Sequence, residues 1–134
     1  HSVLFSGDTR STEQSEINNV GKDIDLLIHE VQVPSPGATP EANLANVSLS
    51  VHSTPQQAGL VFEATKPKMA VYSHIIPPGI TADDLEVATR PYYKGPMTVA
   101  HDFMEITLSG EDIIIGERLK QSDGKFEDSK VLGK

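Results

Sequence analysis

The sequence contains no cysteine and no tryptophan, and only 5% of its residues are aromatic. The absence of cysteine excludes disulfides, thiolate zinc sites and cysteine nucleophiles, so any metal must be held by histidines and carboxylates. The shortage of aromatic residues predicts a core that rests on valine, isoleucine and leucine.

Positive charge and long apolar runs are also scarce. The chain has 11 basic against 19 acidic residues, for a net charge of −8, which argues against a broad electrostatic surface for nucleic acid. No apolar stretch approaches the roughly 20 residues that a membrane helix needs, so we expect a soluble protein. The Gly-Asp-Thr run at 7–9 lacks the lysine and spacing of a phosphate-binding loop, and no Gly-x-Ser-x-Gly elbow occurs.

The length of 134 residues suits a single domain with a modest core. The first residue is histidine rather than methionine, and we therefore expect a processed chain or a fragment of a longer protein. Composition predicts one domain over residues 1–120, followed by a polar C-terminal tail at 121–134.

Apolar runs alternate with cap-bounded polar segments along the chain. They predict strands at 2–6, 23–31 and 68–74, helices over about 12–20, 41–50, 55–66 and 82–90, and a hairpin within 98–117. Pro34 to Pro40 is rich in proline and glycine, which predicts a loop. The alternation of strand and helix predicts an α/β fold.

Polar residues with metal-binding side chains follow the apolar runs. Asp8 comes just after the first predicted strand, and His29 and His74 follow the apolar runs of the next two. The carboxyl ends of parallel strands meet at one edge of a sheet, where α/β proteins gather their ligands. Asp and His suit zinc, manganese or iron. A cap by Asp8 and a backbone hydrogen bond from His74 are the structural alternatives.

His52 stands directly before a predicted helix whose start Ser53 or Thr54 can cap, with Pro55 at the first helical position. It is either an exposed neighbour of that cap or a histidine aimed at a reacting oxygen. The His29-Glu30 pair is in turn either a polar strand end or support for a nearby site.

Four motifs stand in order: Phe-Ser-Gly-Asp-Thr at 5–9, Asp-Leu-Leu-Ile-His-Glu at 25–30, His-Ser-Thr at 52–54 and Val-Tyr-Ser-His at 71–74. Together they resemble the second half of a metallo-β-lactamase-fold hydrolase, in the ribonuclease Z and arylsulfatase-like branch. The resemblance implies half of a four-layer αββα sandwich, with a mixed sheet that carries helices on one face. The other face should be exposed and apolar unless a partner half covers it.

The resemblance also implies roles for individual residues. Asp8 would bridge two divalent metal ions, zinc first with manganese or iron as alternatives, and His74 would ligate one of them. His52 would stabilise charge on the reacting group or protonate the leaving oxygen. His29, Glu30 and Thr9 would support these residues from behind.

The reaction implied is metal-assisted hydrolysis, in which a hydroxide between two cations attacks the substrate. The family's upstream His-x-His-x-Asp-His motif is absent, so an N-terminal half must supply the remaining ligands, as a missing segment or a separate chain. The residues after His29-Glu30 and after His74 differ from those of ribonuclease Z. We therefore expect a small carboxylic ester, lactone, phosphodiester or sulfate ester rather than tRNA. The alternative is a non-catalytic α/β binding or scaffold module without metal.

Overall fold

The computed structural model describes residues 1–34, 37, 50–120 and 126–131, with side chains described up to residue 117. The strands are β1 (Val3–Phe5), β2 (Leu26–Gln32), β3 (Met69–Ile76), β4 (Met97–Val99), β5 (Met104–Ser109), β6 (Asp112–Lys120) and β7 (Phe126–Val131), and the helices are α1 (Ile17–Val20), α2 (Pro55–Thr65) and α3 (Ala82–Thr89). The predicted loop at 34–40 and helix at 41–50 fall almost entirely outside the described residues.

The chain forms two compact units, Ser2–Val99 and Ala100–Lys134, the latter together with His1. The first unit holds a parallel sheet in the order β1-β2-β3-β4, and the second holds an antiparallel sheet in the order β5-β6-β7. The predicted α/β class is confirmed. The parallel and antiparallel strands lie in two sheets, however, and not in one mixed sheet.

The boundary between the units lies at residues 99 and 100, whereas composition placed a boundary at 120 and 121. The strand β7 falls within the stretch predicted as a polar tail and pairs with β6. Its sequence, Phe-Glu-Asp-Ser-Lys-Val, carries little apolar signal. Such a segment forms a strand because it pairs with its neighbour, and hydrophobicity alone does not predict that pairing.

The core of the first unit lies between the parallel sheet and the helices. Leu27 and Val31 of β2 are fully buried there, together with Phe62 of α2. Valine, isoleucine and leucine make up much of the core, as expected, but aromatic rings pack there as well. The ring centroid of Phe62 lies 5.2 Å from that of Tyr72 and 5.5 Å from that of Tyr93. Three aromatic rings therefore pack together in this core, although aromatic residues are few in the chain.

The opposite face of the parallel sheet is apolar at two register positions, and the third position carries Glu30 and Ser73. Val3, Leu26 and Met69 share one register position, and Phe5, Ile28 and Val71 share the next position on the same face. At the β1 edge this face is open, since Val3 is 43% and Phe5 is 68% exposed, whereas Leu26 and Val71 are buried.

The helix caps follow the local rules. Thr54 and Thr81 cap α2 and α3, and each forms a capping box with the residue three positions later. The first helix is shorter than predicted: only Ile17–Val20 is helical, and residues 11–16 form turns and irregular structure. No helix in the described ranges is long and apolar enough to span a bilayer.

Candidate metal centre

Asp8 lies one residue past a tight turn at the carboxyl end of β1. Gly7 has a φ of +60°, a conformation that glycine adopts without the steric cost of a side chain. Ser6 continues the strand by donating its N–H to the carbonyl of Ile28. The turn then carries the Asp8 carboxylate beyond the edge of the sheet, where its side chain is 57% exposed.

His74 sits at a β-bulge, and this differs from its predicted place at the end of a strand. Ser73 pairs with Glu30 and Ile75 pairs with Val31, so His74 has no partner on β2, and β3 continues to Ile76. The backbone of His74 has a φ of +48°, which is uncommon for a residue with a side chain and recurs at functional sites. Bulges re-aim side chains, and this one brings Nδ1 of His74 to 2.8 Å from Oδ1 of Asp8.

His52 is buried and is held by Glu30. Its Nδ1 lies 3.0 Å from Oε2 of Glu30, and Oε1 of Glu30 accepts the backbone N–H of Ser53 at 2.6 Å. When Glu30 is ionised, its carboxylate has only acceptors, and Nδ1 of His52 then carries the proton of this hydrogen bond. Nε2 is then the ring nitrogen that can accept a proton or bind a cation.

Asp8, His52 and His74 therefore converge at one place. Each offers a ligand atom, and these atoms all lie within 4.8 Å of one another. The rings of His52 and His74 meet edge to face with centroids 5.4 Å apart. One carboxylate and two imidazoles at this spacing form a donor set that suits zinc, manganese or iron.

His29 does not join this cluster, although its apolar run suggested a strand end. It lies in the middle of β2, is fully buried, and meets the ring of Phe62 edge-on. Its Nδ1 lies 2.6 Å from the carbonyl of Glu30, and its Nε2 lies 3.0 Å from Oγ of Ser11. The side chain of His29 thus contacts Ser11, in the segment that follows Asp8, and takes no direct part in the cluster.

Burial shifts the ionisation of both residues of the His29-Glu30 pair. It lowers the pKa of His29, with a smaller opposing effect from the carbonyl of Glu30. It raises the pKa of the Glu30 carboxyl, while the hydrogen bond from Ser53 and the nearby His52 act in the other direction. These two contacts favour the ionised carboxylate, but burial outweighs them and the pKa of Glu30 stays above its ordinary value.

The lowered pKa of His29 predicts a pH-dependent loss of stability. When the pH falls below the ordinary histidine pKa of 6.5, the unfolded chain binds a proton at His29, whereas the folded chain keeps His29 neutral. The free energy of unfolding should therefore fall by up to about 1.4 kcal/mol for each pH unit until the lowered pKa is reached. Urea unfolding of the wild type and of His29→Gln, followed from neutral to mildly acidic pH, measures the difference. Parallel curves for the two proteins would contradict it.

A small cleft of about 140 Å³ opens at the cluster and is lined by Gly7, Asp8, Glu30 and His74, among others. A larger cleft of about 450 Å³ lies between residues 11–22 and α2, and none of the three converging residues lines it. The candidate metal-binding residues and the larger cleft therefore lie at different places on the first unit. The solvent-exposed Asp8 and His74 leave the cluster open on one side.

Two serines of this region were not identified as site residues by their sequence. Ser53 stood as a candidate helix cap, yet neither Ser11 nor Ser53 caps a helix, and both are fully buried. One local signal separates Ser53 from its neighbour: Pro55 at the first helical position favours Thr54 as the cap. Thr9, predicted to support the site, takes part through its backbone carbonyl, which accepts the hydroxyl of Ser53.

No protein-family model and no curated protein sequence matches the chain. Among solved structures, it is similar to the metallo-β-lactamase fold protein YhfI from Bacillus subtilis, with a TM-score of 0.58 and 18% sequence identity. The match covers 75% of this chain and 37% of YhfI, so the chain spans little more than a third of that protein's length. This likeness and the parallel sheet with its helices show that the chain has the architecture of part of a metallo-β-lactamase fold.

Proposed function

We propose that this chain supplies part of the active site of a metal-dependent hydrolase that cleaves an ester-type bond. The observation that carries the proposal is the convergence of Asp8, His52 and His74 at the carboxyl edge of a parallel sheet. The substrate is a carboxylic ester, lactone, phosphodiester or sulfate ester. The His-Glu and His-Ser-Thr motifs support the ribonuclease Z and arylsulfatase-like branch, and the net charge of −8 argues against a nucleic-acid substrate.

Asp8 and His74 would hold the metal, as part of a site for two divalent cations, zinc in the first place. Their side chains fit this role, because a carboxylate can serve two cations and an imidazole binds through a neutral nitrogen. The contact between Nδ1 of His74 and Oδ1 of Asp8 must then give way, since its shared proton competes with a cation. When bound, such cations act as Lewis acids and activate water near neutral pH.

His52 would act on the leaving group. Glu30 accepts the proton on Nδ1 and so fixes both the orientation of the ring and the nitrogen that is free. With Nε2 protonated, His52 can donate to a developing oxyanion, and Glu30 stabilises the imidazolium that this requires. The burial of Glu30 makes this hydrogen bond stronger than it would be in water.

The remaining ligands would come from an N-terminal half, either as a segment of the same protein or as a separate chain. Asp8 and His74 are too few to hold two cations, since a zinc ion alone takes about four ligands. The apolar sheet face with its exposed Val3 and Phe5 offers a surface for such a half to cover. A second copy of this chain is the alternative partner.

Native mass spectrometry with metal analysis tests the proposal, before and after denaturation of the purified material. We expect about two zinc, manganese or iron ions per complex, a co-purifying polypeptide, and hydrolysis of p-nitrophenyl acetate, bis(p-nitrophenyl) phosphate or p-nitrophenyl sulfate. A chain that runs alone, binds no added zinc and hydrolyses none of these probes would overturn the proposal in favour of a non-catalytic binding or scaffold module.

A further inference from the structure

The hydroxyl of Ser53 lies at the junction of the two loops that carry Asp8 and His52. It donates to the carbonyl of Thr9 at 2.6 Å and accepts the backbone N–H of Ser11 at 2.9 Å. Because Thr54 caps α2, the Ser53 side chain is not needed for that task. Its hydrogen-bonding capacity is directed to the segment that follows Asp8.

The main chain of Ser53 is anchored to β2 on both sides. Its N–H donates to Oε1 of Glu30 at 2.6 Å, and its carbonyl accepts the N–H of Gln32 at 2.8 Å. The same Glu30 carboxylate holds Nδ1 of His52 through its other oxygen. Ser53 and His52 are therefore both held by the Glu30 carboxylate.

The segment after Asp8 is held from a second direction as well. Oγ of Ser11 lies 3.0 Å from Nε2 of His29, the residue next to Glu30 on β2. The Asp8 loop and the His52 loop are thus tied to adjacent residues of one strand and to each other through the Ser53 hydroxyl. Side chains in this junction are fully buried at Ser11, Ser53 and His29, where a lost hydrogen bond is not replaced by water.

We propose that Ser53 is a positioning residue, which sets the separation between the metal ligand Asp8 and the proton-donating His52 without touching metal or substrate. The inference rests on the proposed function for the roles of Asp8 and His52. The contacts of the Ser53 hydroxyl themselves are independent of any metal.

The replacement Ser53→Ala tests this role in the full chain. It removes both hydrogen bonds of the hydroxyl and leaves the backbone anchors of Ser53 in place. We expect the zinc affinity to fall by about 10-fold to 100-fold, as is usual when the support behind a metal site is lost. In the metal-free protein, the NMR cross-peaks between the rings of His52 and His74, whose centroids lie 5.4 Å apart, should weaken.

The matched control is Thr54→Ala. It removes a hydroxyl from the adjacent residue and weakens the cap of α2, but it leaves the contacts of the Asp8 loop untouched. The zinc affinity and the ring cross-peaks of Thr54→Ala should match those of the wild type at a temperature where both proteins are folded. Ser53→Thr, which keeps the hydroxyl, should restore them. If Ser53→Ala does not fold, Ser53→Cys fills the same space with much weaker hydrogen bonding and should show the same two changes in smaller measure.

The outcomes separate the two proposals. Equal ring cross-peaks and equal zinc affinity in Ser53→Ala and Thr54→Ala would overturn the positioning role. Failure of the wild-type chain to bind zinc would overturn the proposed function, and the ring cross-peaks of the metal-free protein would still decide the role of Ser53.

Discussion

Replacement of Asp8 by asparagine should lower the zinc affinity of the chain by more than about 100-fold, because the loss of an outer supporting residue alone costs about 10-fold to 100-fold. Asp8 is the one carboxylate among the three converging residues, and asparagine keeps its shape while removing the negative charge that attracts a cation. Calorimetric titration with zinc near neutral pH measures the effect. Hydrolysis by the native complex should disappear with it.

A matched control is Asp83→Asn. Asp83 lies in the first turn of α3, is exposed, and is not one of the converging residues, so its replacement changes the net charge by the same amount and should leave the zinc affinity unchanged. If both variants lose affinity equally, the effect is one of overall charge. If neither loses affinity, Asp8 does not hold the metal.

The second large effect is expected from Glu30→Gln, through the tautomer of His52. An amide at position 30 can still accept the N–H of Ser53 through its oxygen, but its NH₂ group then faces Nδ1 of His52. Nδ1 must become the acceptor, and the proton moves to Nε2. Nε2–H of the neutral ring can still donate a hydrogen bond, but no carboxylate then stabilises the imidazolium that gives its proton to the leaving oxygen. Hydrolysis by the native complex should fall by at least about 100-fold, the lower range for the loss of a positioned acid or base.

The tautomer itself can be observed without activity. The ¹⁵N chemical shifts of the His52 ring in the labelled chain should show the proton on Nδ1 in the wild type and on Nε2 in Glu30→Gln. Glu86→Gln serves as the control, because Glu86 pairs with Arg90 on α3 and its replacement should alter neither readout. An unchanged tautomer in Glu30→Gln would mean that Glu30 does not orient His52.

Much of the first unit could be predicted from local patterns. The alternation of apolar runs with capped segments indicated β1, β2, α2, β3 and α3 in the correct order. A cap of α2 at Ser53 or Thr54 could be predicted because capping depends on residues within one helical turn, and the structure has Thr54 in that place. The turn at Gly7 and the hairpin around Gly110 rest on the same kind of short-range signal, and both glycines have positive φ.

The candidate site was only partly predictable. The residue types of Asp8, His52 and His74 indicated a metal site. The apolar run before His74, however, predicted that this residue ends a strand. In the structure β3 continues past it, and the bulge is visible only in the pairing with β2. A register shift is a property of two strands together, so no pattern within 69–76 alone could indicate it.

The sequence by itself determined the element order, the helix caps and the kinds of side chain available for chemistry, because each of these depends on residues that are near neighbours in the chain. The tertiary structure alone decided that Phe62, Tyr72 and Tyr93 share one core, that His29 lies buried behind the cluster, and that Ser53 joins two loops 44 residues apart in sequence. These contacts arise when the parallel strands align and bring distant loops to one edge of the sheet. Their geometry is therefore set by packing and register rather than by local sequence.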